Sequence, residues 1–202
     1  GGDFNYGQSC TVTATPTEGY MFTNWTQNGE VVAGAGATYT FNVTSDMDLV
    51  AHFAEGLLIG DGSTDTHNYL PSYNYYTNSL TEQIYTSDEM GAAGIITGIA
   101  FYNGGAEKTL DYDFYMMATT KDSFSSKTDW IAVSESDKVF SGSVTVVAND
   151  WTTITFSTPF VYDGNSNVVL VTDRKTQWSN SPHMSCRVFS TSSNQAIYAY
   201  DD

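Results

Sequence analysis

The most continuous apolar run in the chain is Asn167-Val168-Val169-Leu170-Val171-Thr172, and its β-branched residues favour a strand. Further strand-like segments precede and follow it, separated by turns rich in Gly, Asn, Asp and Ser. They are residues 81–86, 95–102, 110–118, 138–146, 151–156 and 195–200. About eight strands without intervening helices predict an all-β fold, an antiparallel β-sandwich of the jelly-roll kind.

The composition agrees with a β-rich surface protein. The 202 residues include 27 Thr, 21 Ser and 13 Asn, whereas only 15% are charged. The formal net charge is −16, from 23 acidic and 7 basic residues. This charge argues against nucleic-acid binding, which needs clustered Lys and Arg, and against attraction to anionic membranes. No apolar run approaches the roughly 18 residues of a membrane span, so no membrane insertion is expected.

The charge distribution predicts two domains. Residues 1–56 contain six acids and no Lys or Arg, whereas residues 57–202 hold every basic residue. We therefore expect a small β-rich module at 1–56 and a β-sandwich at 57–202. The chain opens with Gly1-Gly2 rather than Met, which suggests a segment of a longer protein whose other domains would be partners.

The first module carries motifs of a known repeat. They are Tyr6-Gly7-Gln8, Val12-Thr13-Ala14-Thr15-Pro16, Gly19-Tyr20-Met21-Phe22, Tyr39-Thr40-Phe41-Asn42-Val43-Thr44 and Leu49-Val50-Ala51-His52-Phe53. In this order they resemble the divergent InlB B-repeat, over about residues 3–54. The repeat's usual first strand, upstream of Tyr6, is absent or short. The resemblance implies a secreted or cell-surface bacterial protein in which the module is a spacer or adhesive stalk without catalysis.

The second module also has a familiar pattern. It includes Ile59-Gly60-Asp61-Gly62, residues 94–101, Asn149-Asp150-Trp151 and Pro159-Phe160-Val161-Tyr162-Asp163-Gly164. These motifs resemble a gingipain-type adhesin module, a jelly roll of large secreted proteins of Bacteroidetes. The resemblance concerns strands and turns, so it implies fold and extracellular setting more than a ligand.

Several residues are expected in the core. Trp25 and Trp151 lie in strand patterns, and the core set of the first module also includes Tyr20 and Phe53. The two cysteines, Cys10 and Cys186, fit buried small apolar positions, and a disulfide between them is the alternative.

The sequence offers little for catalysis. The three histidines lie apart, without zinc-ligand spacing, and there is no Gly-x-Ser-x-Gly motif. Two carboxylate pairs, Asp88-Glu89 and Asp111-x-Asp113, are the candidates for a glycosidase, but the pattern of the second pair favours a solvated strand face. We therefore expect no enzyme and no required cofactor.

One loop has the oxygen spacing of a calcium site. Asp163, Asn165 and Asn167 match the opening of a calcium-binding loop, but the terminal bidentate Glu is missing. The same residues also form a good turn between two strands. A structural calcium ion and a simple turn both remain open.

The remaining candidates are aromatic residues in polar loops. Trp178 lies in one such loop, and Tyr75 and Tyr76 lie in another, together with Tyr73. Sugar rings stack on such side chains, and the basic Arg174 could support the contact. These residues predict binding of a glycan or of a host or extracellular protein, in adhesion. The alternatives are a carbohydrate-binding module attached to a glycoside hydrolase, or a hydrolase itself.

Overall fold

The computed structural model describes residues 2–17, 20–175 and 183–202. In these residues the chain is nearly all β-structure, which confirms the predicted fold class. The chain divides into two compact units, Gly1–Leu58 and Ile59–Asp202, whereas the charge distribution placed the boundary after Gly56. Among the described residues there is no helix of the length and hydrophobicity that crossing a bilayer requires.

The described part of the first unit contains two small antiparallel sheets. Its strands are β1 (Ser9–Thr13), β2 (Tyr20–Gln27), β3 (Glu30–Val31), β4 (Thr38–Asn42) and β5 (Leu49–Glu55). β1 pairs with β4, and β2 lies between β3 and β5. Asn28 and Gly29 both have positive φ in the turn from β2 to β3, as expected for an Asn-Gly hairpin turn.

The core of the first unit is small and centres on a tryptophan. Trp25 is buried with Phe22 and Ala14, and its indole donates a 2.8 Å hydrogen bond to the Gly36 carbonyl. The ring centroids of Trp25 and Phe22 are 5.7 Å apart. The prediction that Trp25 lies in the core is confirmed, but Tyr20 and Phe53 are exposed.

The second unit contains nine strands in its described part, with one helical turn and one 3-10 turn. They are β6 (Thr66–His67), β7 (Asn78–Tyr85), α1 (Ser87–Met90), β8 (Gly94–Asn103), β9 (Lys108–Thr119), the 3-10 turn (Glu135–Asp137), β10 (Lys138–Val146), β11 (Asp150–Tyr162), β12 (Asn167–Arg174), β13 (Cys186–Arg187) and β14 (Ala196–Asp201). One sheet has the order β10-β9-β12-β7-β14 and the other β11-β8-β13-β6.

The strand pairing is that of a jelly roll. β9 pairs with β10, β8 with β11, β7 with β12, and β6 with β13, all antiparallel. From the innermost pair, β9 and β10, outward, each further pair is formed by the next strands on either side along the chain. The polypeptide therefore folds as one long hairpin that is wrapped into two sheets. β14 adds a fifth strand to one sheet, beside β7.

Two apolar clusters form on the two faces of the five-stranded sheet. Between the sheets, buried residues of β9, β10, β11, β12 and β13 pack together, Phe114 and Val168 among them. On the other face, Val169 and Val171 pack against Phe124 and Trp130 of the β9–β10 connection. This covering explains the continuous apolar run of β12, which is buried on both faces.

Both cysteines are free and buried, so no disulfide joins them. Cys10 lies in the first unit and Cys186 in the second. Burial raises the pKa of the Cys186 thiol to about 12, which leaves it protonated and unreactive at neutral pH.

Trp25→Ala should lower the free energy of unfolding of the first unit by about 3–5 kcal/mol, because it empties the centre of a small core. Calorimetry of the whole chain would show this as a lower transition temperature for one of two transitions. Tyr6→Ala, at a position 85% exposed, is the control and should change little. Equal effects of both substitutions would contradict the assigned core.

Candidate functional site

Six tyrosines and two histidines of the second unit form one connected group of rings, which we call the tyrosine surface. Neighbouring ring centroids within it lie between 4.4 and 6.3 Å apart. Its members are His67, Tyr69, Tyr73, Tyr75, Tyr76, His183, Tyr198 and Tyr200. Three sequence-distant segments therefore contribute to a single aromatic cluster.

The jelly-roll topology brings these segments together. Tyr198 and Tyr200 lie on the same face of β14, an edge strand of the five-stranded sheet. β6, an edge strand of the other sheet, leads directly into the segment that carries the remaining tyrosines. Tyr198 stacks on Tyr69 at 4.6 Å, and Tyr200 stacks on Tyr76 at 4.4 Å. The rings thus connect an edge of one sheet to the connection leaving the edge of the other.

The β6–β7 connection is anchored from beneath by buried polar groups. The hydroxyls of Ser72 and Tyr112 share a 2.8 Å hydrogen bond, and Thr81 donates to the Pro71 carbonyl at 2.6 Å. Ser72, Tyr112 and Thr81 are all buried. Such fully satisfied polar contacts in a low-dielectric interior fix the path of the backbone.

Arg174 is the strongest of these anchors. Its guanidinium donates to the backbone carbonyl of Tyr73 at 2.9 Å and to that of Tyr76. The Tyr73 amide in turn donates to the hydroxyl of Ser79, the partner of Arg174 in the strand register. Arg174 is fully buried, so the expectation that it supports a ligand at the surface is wrong. Burial lowers its pKa, yet a guanidinium remains charged in proteins.

Tyr73 and Tyr76 of the tyrosine surface carry neutral phenols at physiological pH. Burial, followed by repulsion from neighbouring tyrosines, raises the pKa of Tyr73 and of Tyr76 above the ordinary tyrosine value. Each neutral phenol can both donate and accept a hydrogen bond.

The outer rings of the cluster are accessible to a ligand. Tyr75 is 37% exposed, Tyr198 43% and Tyr200 41%, while Tyr69 and Tyr76 are half-buried beside them. An aromatic face with hydroxyls at its rim can stack on the apolar face of a sugar and hydrogen-bond to the hydroxyl groups around it.

The predicted tryptophans have different positions. Trp178 lies outside the described residues. Trp151 was expected in the core, but it is 37% exposed on the outer face of the four-stranded sheet. The alternation of β11 places Ile154 and Phe156 inward, so the odd-numbered Trp151 faces outward. Lys175, next to Arg174, forms a 2.8 Å salt bridge with Asp173.

The loop predicted to hold calcium forms a hydrogen-bonded turn. Asp163 accepts from the backbone amides of Asn165 and Ser166, both at 2.8 Å, and from the Ser166 hydroxyl. The side chain of Asn167 instead contacts the backbone of Ser87 and Lys121. The described residues hold no group of three or more His, Cys, Asp or Glu at metal-binding distance. Calcium binding by this loop stays a prediction, but the turn already engages all three side chains.

One member of each carboxylate pair has a structural partner. Glu89 closes a capping box with Thr86 at the start of α1. Asp113 bonds to Lys138 at 3.2 Å, and partial burial of this carboxyl is outweighed by hydrogen bonds from Ser141 and Lys138, which lower its pKa. A low pKa favours the ionised state and does not suit a general acid at neutral pH.

Sequence reasoning identified the tyrosines at 73, 75 and 76 but missed Tyr69, Tyr198 and Tyr200. The spacing Tyr198-x-Tyr200 in a terminal strand does place two rings on one face, which was a usable signal. The contact between this face and the β6–β7 connection depends on the strand order, which the sequence does not show.

Fold and site together define an all-β protein whose second unit is a jelly roll with an aromatic surface at its edges. The family model of the divergent InlB B-repeat domain matches residues 1–56. This match indicates a surface or extracellular protein, as the resemblance of the first module implied. No curated protein and no solved structure matches the chain.

Arg174→Met should destabilise the second unit by about 3 kcal/mol or more, because two buried carbonyls lose a charged donor. Denaturant unfolding would measure the loss, and near-ultraviolet circular dichroism would report the altered tyrosine packing. Lys175→Met removes the adjacent charge from an exposed salt bridge and should cost less than about 1 kcal/mol. A loss no larger for Arg174 than for Lys175 would contradict the anchoring role.

Asp163→Ala should destabilise the chain at neutral pH but have a smaller effect in acid. Hydrogen bonds from Ser166 and Asn165 lower the pKa of Asp163 to about 2, against about 3.9 in an unfolded chain. The ionised group therefore stabilises the fold above about pH 4, and this contribution is lost as the pH falls toward 2. Melting temperatures of both proteins across this range would test it. A constant difference between them would show that ionisation is irrelevant to the turn.

Proposed function

We propose that the chain is a non-catalytic, ligand-binding part of a secreted or cell-surface bacterial protein, and that the tyrosine surface contacts a glycan. The observation that supports this most is the connected set of eight rings in which Tyr75, Tyr198 and Tyr200 stay exposed. Isolated exposed aromatic residues are ordinary, whereas a contiguous aromatic patch marks an interaction site.

The rigidity of the patch supports binding. Its rings are stacked on one another, and the backbone beneath Tyr73 and Tyr76 is fixed by the Arg174 guanidinium. Binding to a preorganised surface does not have to order side chains first, so less conformational entropy is lost. Neutral phenols suit a neutral sugar, since neither partner has a charge to desolvate.

The first unit would act as a spacer or adhesive stalk, in keeping with its match to a surface repeat. For the second unit we keep the proposal of an adhesin-like module of the gingipain type from Bacteroidetes. Its jelly-roll pairing is compatible with that resemblance. Other domains of the parent chain would then be its structural partners.

A protein ligand is the second candidate, because two tyrosines of this surface, Tyr198 and Tyr200, lie on the edge strand β14. An extended peptide can pair with such an edge, and Tyr is enriched where proteins bind one another. A carbohydrate-binding module attached to a glycoside hydrolase would use the same surface. A hydrolase itself remains the least supported alternative, because the Asp113 carboxyl and Glu89 already have structural partners.

The proposal predicts retention of the chain on a neutral-glycan array or polysaccharide affinity gel. The double variant Tyr75→Ala/Tyr200→Ala should weaken binding about tenfold or more, as loss of central aromatic contacts does in interfaces. Tyr6→Ala removes an exposed tyrosine of the first unit and is the matched control.

Absence of binding to any neutral glycan would refute the glycan proposal. A pull-down with extracellular matrix proteins would then test the second candidate with the same two variants. Equal losses in Tyr6→Ala and in the double variant would show that the tyrosine surface is not the binding site.

A further inference from the structure

A second aromatic group lies on the outer face of the four-stranded sheet and shares no residue with the tyrosine surface. It consists of Trp151 on β11, Tyr102 on β8 and Arg187 on β13, three neighbouring strands. Trp151 and Tyr102 are direct partners in the strand register, and their ring centroids lie 6.0 Å apart. We call this group the Trp151 platform.

Strand alternation makes the platform face outward. Thr152 and Cys186, the neighbours of Trp151 and Arg187 in the chain, are buried. Their side chains point between the sheets, so Trp151 and Arg187 point to the opposite face. Both are exposed, and Tyr102 is half-buried between them.

Arg187 is held in a defined position over an aromatic ring. Its guanidinium carbon lies 3.7 Å from the centroid of Tyr102, a close cation–π contact. The hydroxyl of Tyr102 donates to the Asn149 carbonyl at 3.0 Å, which fixes the ring beneath the charge. Among the described residues, the guanidinium has no salt-bridge or hydrogen-bond partner. Its donors are therefore available to an anion.

We propose that the Trp151 platform binds an acidic sugar, a uronic acid residue of a polysaccharide. The planar guanidinium of Arg187 would bind the carboxylate through paired N–H donors, the geometry that favours arginine over lysine. The exposed ring of Trp151 would pack against the sugar ring beside it. The platform thus combines a cation and an exposed aromatic ring on neighbouring strands.

This inference goes beyond the proposed function, because it assigns a different site and a charged class of ligand. The tyrosine surface offers neutral phenols, whereas the platform offers a positive charge. The two sites can therefore fail or succeed independently.

The test uses the whole chain with oligogalacturonate and with the same oligomer fully methyl-esterified, measured by isothermal titration calorimetry. The free acid should bind, and esterification should weaken binding about tenfold, because it removes the charge that Arg187 contacts. Arg187→Gln should weaken binding of the acid by a similar factor. Lys127→Gln also removes one positive charge, from an exposed position outside the platform, and should have little effect on binding of the acid.

Three results would overturn the proposal. The first is no binding of oligogalacturonate by the wild-type chain. The second is equal weakening by Arg187→Gln and Lys127→Gln, which would indicate a general charge effect. The third is loss of acid binding in Tyr75→Ala/Tyr200→Ala with retention in Trp151→Ala, which would place the acid on the tyrosine surface. Retained neutral-glycan binding in Arg187→Gln would show that the proposed function stands whichever result is obtained.

Discussion

The buried guanidinium of Arg174 is the contact on which the tyrosine surface of the second unit depends. A charge removed from water costs several kcal/mol unless its donors are satisfied. The carbonyls of Tyr73 and Tyr76 accept hydrogen bonds from it. If the β6–β7 connection moved away, the buried charge would lose these acceptors. The need to satisfy the buried guanidinium of Arg174 therefore fixes the backbone at Tyr73 and Tyr76. Tyr200 stacks on the ring of Tyr76, whose backbone is held in this way, and Tyr198 stacks on the ring of Tyr69.

The nested strand pairing explains why such a site forms where it does. The first strand of the long hairpin, β6, lies at the edge of one sheet, and the added β14 lies at the edge of the other. An open edge exposes unpaired backbone and apolar side chains, which invites aggregation unless it is covered. The tyrosine rings stack beside this edge, which shields part of their apolar surface, and leave their outer faces in water. The same side chains would make the proposed contact with a ligand.

Local patterns predicted the strands well, but not which strand faces would be covered. The strand pattern at 81–86 and the apolar run of β12 correspond to real strands, and Trp25 is buried as expected. The prediction for Trp151 was wrong because the alternation of side chains along a strand defines two faces but does not tell which face packs against the other sheet. Arg174 was misplaced because a charged residue that ends an apolar run resembles a surface residue. Only long-range pairing, which brings Ser79 beside it, reveals that the position is buried.

Net charge and local charge have different consequences for partners. The value of −16 argues against nucleic acid as a partner, yet it does not oppose an acidic sugar at one point of the surface. At physiological ionic strength, exposed charges more than about 8 Å apart are largely screened. Lys121, Lys138 and Lys175 are each engaged by a carboxylate of the same unit. Arg187 is engaged by a neutral ring instead, so its charge stays available to an incoming anion. For the ligand proposed at the Trp151 platform, the local surroundings of Arg187 therefore matter more than the net charge of the chain.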